Sequence, residues 1–140
     1  MTRAVLDSSV LVSSLIAPAG APAKLVVAAR SGIFDLIASP KLLAELESVL
    51  RREKFRRYAD IDRVTAFLRF VTREAEVVTD PEAPPPIRCS DPKDDYLIAL
   101  AHDQKAVLVS GDRHLLELAG RIPVFSPSEF LATQLYLKDG

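Results

Sequence analysis

Close to its start the chain reads Ala4-Val5-Leu6-Asp7-Ser8-Ser9-Val10-Leu11-Val12, and this stretch organises the whole prediction. The first three residues are typical of a short buried strand, and the apolar pattern resumes directly after Ser9. A charge that is removed from water is costly unless it finds a partner or changes its pKa. Asp7 therefore either caps the helix that follows or belongs to a functional site. The two are compatible, because Ser8 or Ser9 can cap the helix and leave the Asp7 carboxylate free.

The composition is that of one globular domain over residues 1–140. Hydrophobic residues make up 49% of the chain and charged residues 26%, which argues against disorder. No apolar run approaches the roughly 20 residues that span a bilayer, and we expect no membrane partner. The N-terminus lacks a signal-peptide pattern, and the single cysteine, Cys89, excludes an internal disulfide. We therefore expect a cytoplasmic protein.

Short apolar segments alternate with helical patterns along the chain. Strands are predicted at 4–6, 33–38, 76–78, 106–109 and 122–125, with helical segments at 10–16, 21–30, 40–50, 61–71, 96–101, 115–118 and from 127 onward. Ser39-Pro40, Asp91-Pro92 and Ser126-Pro127 mark helix starts, since each joins a capping side chain to a proline that suits the first turn. The alternation predicts an α/β fold, a sandwich of helices around a five-stranded, mostly parallel sheet.

Acidic side chains follow the predicted strands at the edge where parallel sheets bind ligands. Asp7 ends the first strand, Asp112 follows the fourth, and Asp94 begins the helix after the third. Glu45 and Glu47 lie on the helix after the second strand, and periodicity does not choose between them. A group of carboxylates without His or Cys favours Mg²⁺ or Mn²⁺ over zinc. Such a group suits the metal-assisted cleavage of a phosphodiester bond.

Each acid also has a purely structural interpretation. Asp91 before Pro92 is first of all an N-cap, and Asp94 in the first turn is favoured by the helix dipole alone. Asp112 follows Ser110 and Gly111, and such a segment is common in turns. Against this, Asp94 shares the buried stripe of its helix. The shared edge, and no single acid, predicts a site.

A basic segment with two interleaved aromatic residues, Phe55 and Tyr58, follows the third helix. Its cations are Arg51, Arg52, Lys54, Arg56 and Arg57. The segment either follows a phosphate backbone and stacks bases, or it is a solvated helix end whose cations complement the dipole. The net charge of −1 requires such local clustering if nucleic acid is bound. Beside an acidic metal site, nucleic-acid binding becomes the better interpretation.

Together these motifs resemble the PIN-domain family, and in particular the VapC-like toxin components of toxin–antitoxin pairs. The segments that carry the resemblance are residues 5–13, 39–46, 88–101, 107–112 and 122–131. None of these motifs is specific by itself, but their order along nearly the whole chain is.

The resemblance implies a five-stranded parallel sheet between helices, and a Mg²⁺- or Mn²⁺-dependent endoribonuclease that cleaves single-stranded RNA. It implies that Asp7 and Asp94 bind the metal directly. Glu45, selected over Glu47, and Asp112 would complete the catalytic pocket by binding metal directly or through water. The resemblance further implies a homodimer that a small antitoxin protein holds inactive.

Two hydroxyl residues depart from the family pattern. Ser9 stands where Asn is usual, and Ser110 stands where Thr is usual; both are expected to brace the acids through hydrogen bonds. The first departure motivates an alternative function, a catalytically weak or inactive module that binds a partner protein or RNA. Phosphoryl transfer through an Asp7 aspartyl-phosphate is a weaker alternative. Haloacid-dehalogenase-like enzymes usually carry a second Asp at the position that Ser9 occupies.

Overall fold

The computed structural model describes residues 1–139, and within them one five-stranded sheet has every strand parallel. The strands are β1 (Arg3–Leu6), β2 (Asp35–Ala38), β3 (Glu76–Val77), β4 (Val107–Val109) and β5 (Val124–Phe125). Their order across the sheet is β3-β2-β1-β4-β5, so β1 is the central strand. The predicted fold class is confirmed, and the sheet is parallel throughout. The final residue of the predicted 1–140 domain, Gly140, lies outside the described residues.

Seven α-helices lie within residues 1–139; the first six connect the strands, and the seventh follows the last strand. They are α1 (Ser8–Ile16), α2 (Ala21–Arg30), α3 (Pro40–Leu50), α4 (Ile61–Glu74), α5 (Asp95–Asp103), α6 (Arg113–Leu116) and α7 (Pro127–Asp139). Single 3₁₀ turns, Glu53–Phe55 and Pro92–Asp94, precede α4 and α5. The helix start predicted at Ser39 is confirmed, since its hydroxyl accepts from the Leu42 N–H at 3.3 Å.

Several element ends differ from the prediction by one or two residues. β5 begins at Val124, two residues later than predicted, because it pairs with β4 only from Leu108↔Val124 onward and Pro123 has no N–H to donate. α6 begins at Arg113, two residues earlier than predicted, because Asp112 caps it. Neither difference moves a strand to another place in the sheet.

Two hydrophobic cores cover the two faces of the sheet. In β1, Ala4 and Leu6 belong to one core and Val5 to the other, as the alternation of side chains along a strand requires. The first core contains residues from α1, α2, α4 and α7, and the second contains residues from α5 and α6. The architecture is therefore the three-layer sandwich that the sequence predicts.

No single helix among residues 1–139 is long and apolar enough to cross a membrane. Only α1 and α2 taken together reach that length and apolarity, and the pair is bent by 99°. Their apolar side chains, among them Leu11, Leu15 and Leu25, are buried in the first core.

Gly32 provides a test of the connection between α2 and β2, because its φ is +78°. This left-handed conformation costs other residues about 1–2 kcal/mol, while a Cβ there would meet no atom within 4 Å. We expect Gly32→Ala to lower the free energy of unfolding by about 1 kcal/mol in a denaturant titration. Gly120→Ala is the matched control, since Gly120 also has open space and lacks a positive φ. Equal losses in both variants would contradict this explanation.

Candidate active site

Asp7 leaves the central strand β1 and is only 4% exposed. Its Oδ1 accepts hydrogen bonds from the Ser9 hydroxyl at 2.7 Å and the Val10 N–H at 2.8 Å. Its Oδ2 accepts a hydrogen bond from the Ser110 hydroxyl. Asp7 is thus itself the N-cap of α1, and the prediction that Ser8 or Ser9 caps this helix was wrong. The reason is geometric: Asp7 is the last extended residue, three positions before the open Val10 N–H.

Burial raises the pKa of the Asp7 carboxyl, and the nearby Asp112 carboxylate adds to the rise. The hydrogen bonds from Ser110, Ser9 and the Val10 N–H act in the opposite direction. All three donors are neutral groups. The charge of Asp7 is therefore hydrogen-bonded by them but not neutralised.

Ser110 connects Asp7 to a second acid. It is fully buried at the end of β4, where its hydroxyl donates to Asp7 and accepts from the Asp112 N–H at 2.9 Å. Asp112 then caps α6 by accepting from the His114 N–H at 2.8 Å. Ser9 and Ser110 both contact Asp7, and their bracing of a metal site stays a prediction.

Asp94 approaches the same place from the turn before α5. Its side chain caps no helix; instead Asp91 caps the turn by accepting from the Lys93 N–H at 3.1 Å. Burial, together with the adjoining Asp112 carboxyl and the charges of Asp91 and Asp7, raises the pKa of Asp94 to about 7. The structure thus brings together the predicted acids that follow β1 and β4 and precede α5.

Glu45 reaches this region from α3, whereas Glu47 points to solvent. The Tyr96 hydroxyl donates a hydrogen bond to Glu45 Oε2. Burial, this hydrogen bond and the charges of Glu45, Asp7 and Asp94 raise the pKa of Tyr96. Glu47 instead forms an exposed ion pair with Arg51. The contacts therefore separate the two glutamates that periodicity left open.

Tyr96 was missed as a site residue by the sequence prediction. Its ring lies 4.6 Å from the Lys41 ammonium, measured to the ring centroid. Lys41 stands in the first turn of α3, where its N–H donates to Asp80 at 3.0 Å. One signal was available in the sequence: a tyrosine begins the apolar run 96–101 of α5, and a partly buried tyrosine hydroxyl usually has a hydrogen-bond partner.

The predicted nucleic-acid-binding cations fall into two groups. Arg51 pairs with Glu47 at 2.9 Å on the exposed face of α3. Arg56 donates to the Leu50 carbonyl at the end of α3, and its Nε and Nη1 atoms are buried. Both side chains thus bind groups in the C-terminal part of α3, as the helix-end interpretation describes, and a contact of Arg51 and Arg56 with nucleic acid stays a prediction.

The other cations of the basic segment are exposed. Lys54 and Arg57 lie over the rings of Phe55 and Tyr58, at 5.2 Å and 5.0 Å from the centroids. Arg52 stands exposed at the start of the 3₁₀ turn. A contact of Arg52, Lys54 and Arg57 with nucleic acid stays a prediction.

Among residues 1–134, whose side chains the structure describes, no three acidic, His or Cys side chains converge closely enough to coordinate one metal ion. The hydrogen bonds explain this, because Asp7 is turned towards Ser9 and Ser110 and Asp112 towards its helix. The donor set nevertheless suits a hard divalent cation, since its members are carboxylates. Burial and the adjoining acids raise the pKa of Asp94, and a bound cation would favour its charged form.

Known proteins resemble this chain over most of its length. A family model described as a PIN domain matches residues 3–114. The uncharacterized protein MJ1680 of Methanocaldococcus jannaschii is 26% identical over 116 residues, which cover 83% of this chain and 74% of that protein.

Two solved structures share the fold. PAE2754 from Pyrobaculum aerophilum has a TM-score of 0.63 and 18% identity, over 96% of this chain and 90% of that one. VapBC2 from Rickettsia felis, solved bound to a DNA fragment from their promoter, has a TM-score of 0.60 and 14% identity, over 89% of this chain and 98% of that one. At such identities the two structures support the architecture alone.

The raised pKa of Asp94 predicts how the stability of the metal-free protein depends on pH. The raised pKa means that the folded protein holds this proton more tightly than the unfolded chain, so stability falls as pH rises towards about 7. Asp94→Asn removes this loss. In thermal melts in EDTA, the melting temperature of Asp94→Asn relative to that of the wild type should rise between about pH 5 and about pH 8.

Asp62→Asn serves as the control for that measurement, because Asp62 is exposed in the first turn of α4. Its effect on the melting temperature should not vary over this pH range. A gain for Asp94→Asn that is equal at both ends of the range would contradict the explanation.

Proposed function

Because this chain belongs to the PIN-domain family, we propose that it is a nuclease, and more narrowly a Mg²⁺- or Mn²⁺-dependent endoribonuclease of single-stranded RNA. One observation carries the proposal: acids from separate elements approach one another at the carboxyl edge of the sheet. They are Asp7 after β1, Glu45 on α3, Asp94 before α5 and Asp112 after β4. Ligands of parallel sheets bind at this edge, and grouped carboxylates suit phosphodiester hydrolysis with a hard cation.

The proposed roles divide the acids into two pairs. Asp7 and Asp94 would bind the cation directly, and Glu45 and Asp112 would complete the pocket. When bound, the cation supplies an activated water and stabilises the charge that develops on the leaving oxygen. A bound cation would oppose the burial and the Asp112 carboxyl that raise the pKa of Asp94, and so would favour the charged form of Asp94.

The neighbouring side chains hold the acids in place before any substrate arrives. The hydroxyls of Ser9 and Ser110 fix both oxygens of Asp7, and the Tyr96 hydroxyl fixes Glu45. Asp7 Oδ1 already accepts two hydrogen bonds, whereas Asp7 Oδ2 and Glu45 Oε2 each accept one and keep a lone pair for a cation. Ligands that are already oriented need less ordering, and binding sites depend on such supporting contacts.

The basic segment supports RNA as the substrate. Its exposed cations, Arg52, Lys54 and Arg57, follow the same helix that carries Glu45. An acidic pocket repels phosphates, so a polyanion needs cations beside it, and these residues supply them. The Phe55 ring, which lies among these cations, suits an unpaired base, which favours a single strand over a duplex.

We propose a small antitoxin protein as the partner and a homodimer as the assembly. The similar fold of VapBC2 from Rickettsia felis supports this, together with the motifs that resemble VapC-like toxins. Light scattering of the purified chain measures the oligomeric state. Co-purification with the product of an adjoining short gene tests the antitoxin.

A second candidate function is a catalytically weak module that acts by binding a protein or RNA. It is favoured by the acids of residues 1–134, the part of the chain whose side chains are described, because they do not converge on one ion. Calorimetric titration with Mn²⁺ separates the two functions. Binding heat that disappears in Asp94→Asn supports the nuclease, whereas no heat from the unchanged chain supports the module.

Asp7→Asn tests the proposed activity directly. Asparagine caps a helix as well as aspartate and its amide can pair with the same hydroxyls, so the variant should fold normally. Loss of a supporting residue near a metal already costs about 10–100-fold, so loss of a direct ligand should lower cleavage of single-stranded RNA by about 100-fold or more. Cleavage is measured on labelled RNA in Mn²⁺, with Asp62→Asn as the control. Full activity of Asp7→Asn, or of the unchanged chain in excess EDTA, would overturn the mechanism.

Tyr96→Phe tests the contact that holds Glu45. The variant keeps the ring beside Lys41 and removes only the hydroxyl that donates to Glu45. We expect the Mn²⁺ concentration for half-maximal cleavage to rise by about 10-fold, within the usual effect of a supporting residue. Tyr58→Phe is the control, because Tyr58 is 43% exposed in the basic segment. An unchanged Mn²⁺ dependence in Tyr96→Phe would show that Glu45 needs no such support.

A further inference from the structure

We infer that a cavity beside the acids is a nucleobase subsite, which holds the base of a nucleotide next to the cleaved phosphodiester bond. The inference rests on the proposed ribonuclease function and specifies the part of the RNA that the cavity binds. The cavity has a volume of about 310 Å³ and lies between α1, the end of α3 and the Glu53–Phe55 turn. Its walls include Ser9, Val12, Ser13, Ile16, Val49 and Phe55.

The cavity adjoins the acids through a shared side chain. Ser9 lines it, and the hydroxyl of the same residue donates to Asp7 Oδ1 at 2.7 Å. A group in the cavity is therefore one small side chain away from the central carboxylate. In a nucleotide whose phosphate lies at Asp7, the attached base is the part that can enter this space.

The walls of the cavity match the chemistry of a base. On α1, Ser9, Val12, Ser13 and Ile16 are spaced so that they share one face of the helix. The aliphatic side chains and the Phe55 ring offer apolar surface to the flat faces of a base. The Ser13 hydroxyl can donate to or accept from its polar edge, and the Ser9 hydroxyl, which donates its proton to Asp7, can accept.

Charge favours an anionic occupant over an apolar peptide. The Lys54 ammonium lies 5.2 Å from the centroid of the Phe55 ring, and Arg52 is exposed beside the same turn. Cations next to a stacking ring can bind the phosphates that flank a base. Tyr58 also carries a cation on its ring, but it does not line the cavity and is 43% exposed. This difference makes Tyr58 a matched control for Phe55.

The experiment measures binding of short, fluorescently labelled single-stranded RNA by anisotropy, with Asp94→Asn as the background that prevents cleavage. One abasic nucleotide is moved along the strand. We expect one abasic position to weaken binding by about tenfold while the other positions change it little. Phe55→Leu should weaken binding of the intact strand by a similar factor and abolish the effect of that position. Tyr58→Leu should leave the positional effect intact.

Additive effects of Phe55→Leu and the abasic nucleotide, or affinities that do not depend on where that nucleotide lies, would overturn the subsite. Phe55 also packs against the first core, so a thermal melt accompanies each variant. Phe55→Tyr keeps the ring and should restore the positional effect. The abasic series in the background chain needs no change at Phe55 and tests the subsite even if Phe55→Leu unfolds.

Cleavage of intact RNA in Mn²⁺ by the otherwise unchanged chain is measured in parallel. Cleavage without a positional effect would overturn the subsite and leave the proposed function standing. A positional effect without cleavage would overturn the proposed function, and RNA binding would remain.

Discussion

The candidate site depends on one buried carboxylate at the end of the central strand. The register of the sheet fixes its surroundings: Leu6 pairs with Val109, so the next residues along β1 and β4 are Asp7 and Ser110. Their hydrogen bond joins the two strands where regular pairing ends. A buried carboxylate is tolerated only when its oxygens are satisfied, which Ser110, Ser9 and the start of α1 together achieve. Strand pairing, helix start and candidate site therefore share the same contacts.

The parallel topology also explains why acids can gather at this edge at all. Every crossover brings a helix N-terminus to the carboxyl end of a strand, and these termini carry partial positive charge. Asp7 and Asp112 each use that charge, since each caps the helix that follows its strand. Asp94 caps no helix, and its pKa is raised to about 7. Burial and the adjoining Asp112 carboxyl are the main causes of that rise, and the Asp94 side chain accepts no capping hydrogen bond that would oppose them.

Local sequence patterns predicted those features of the fold that depend on residues close together in the sequence. The alternation of apolar segments and the capped helix starts were sufficient for the α/β class, and the strand ends placed Asp7 and Asp112 at one edge. Contacts between distant segments could not be predicted in this way. Periodicity could not separate Glu45 from Glu47, because their difference comes from Tyr96 on α5 and Arg51 on the exposed face. The helix cap was misplaced because Ser8, Ser9 and Asp7 all have suitable side chains, and only the backbone path chooses among them.

Ser9 shows how a departure from a family pattern can be compatible with the site. Its hydroxyl reaches the Asp7 carboxylate at 2.7 Å, so a side chain shorter than the usual Asn still makes the bracing contact. The same residue forms part of the cavity wall beside Phe55. A longer side chain at this position would either keep the contact and reduce the cavity, or leave the cavity open and lose the contact. Serine at position 9 therefore changes the space beside the acids more than it changes the contacts of the acids themselves.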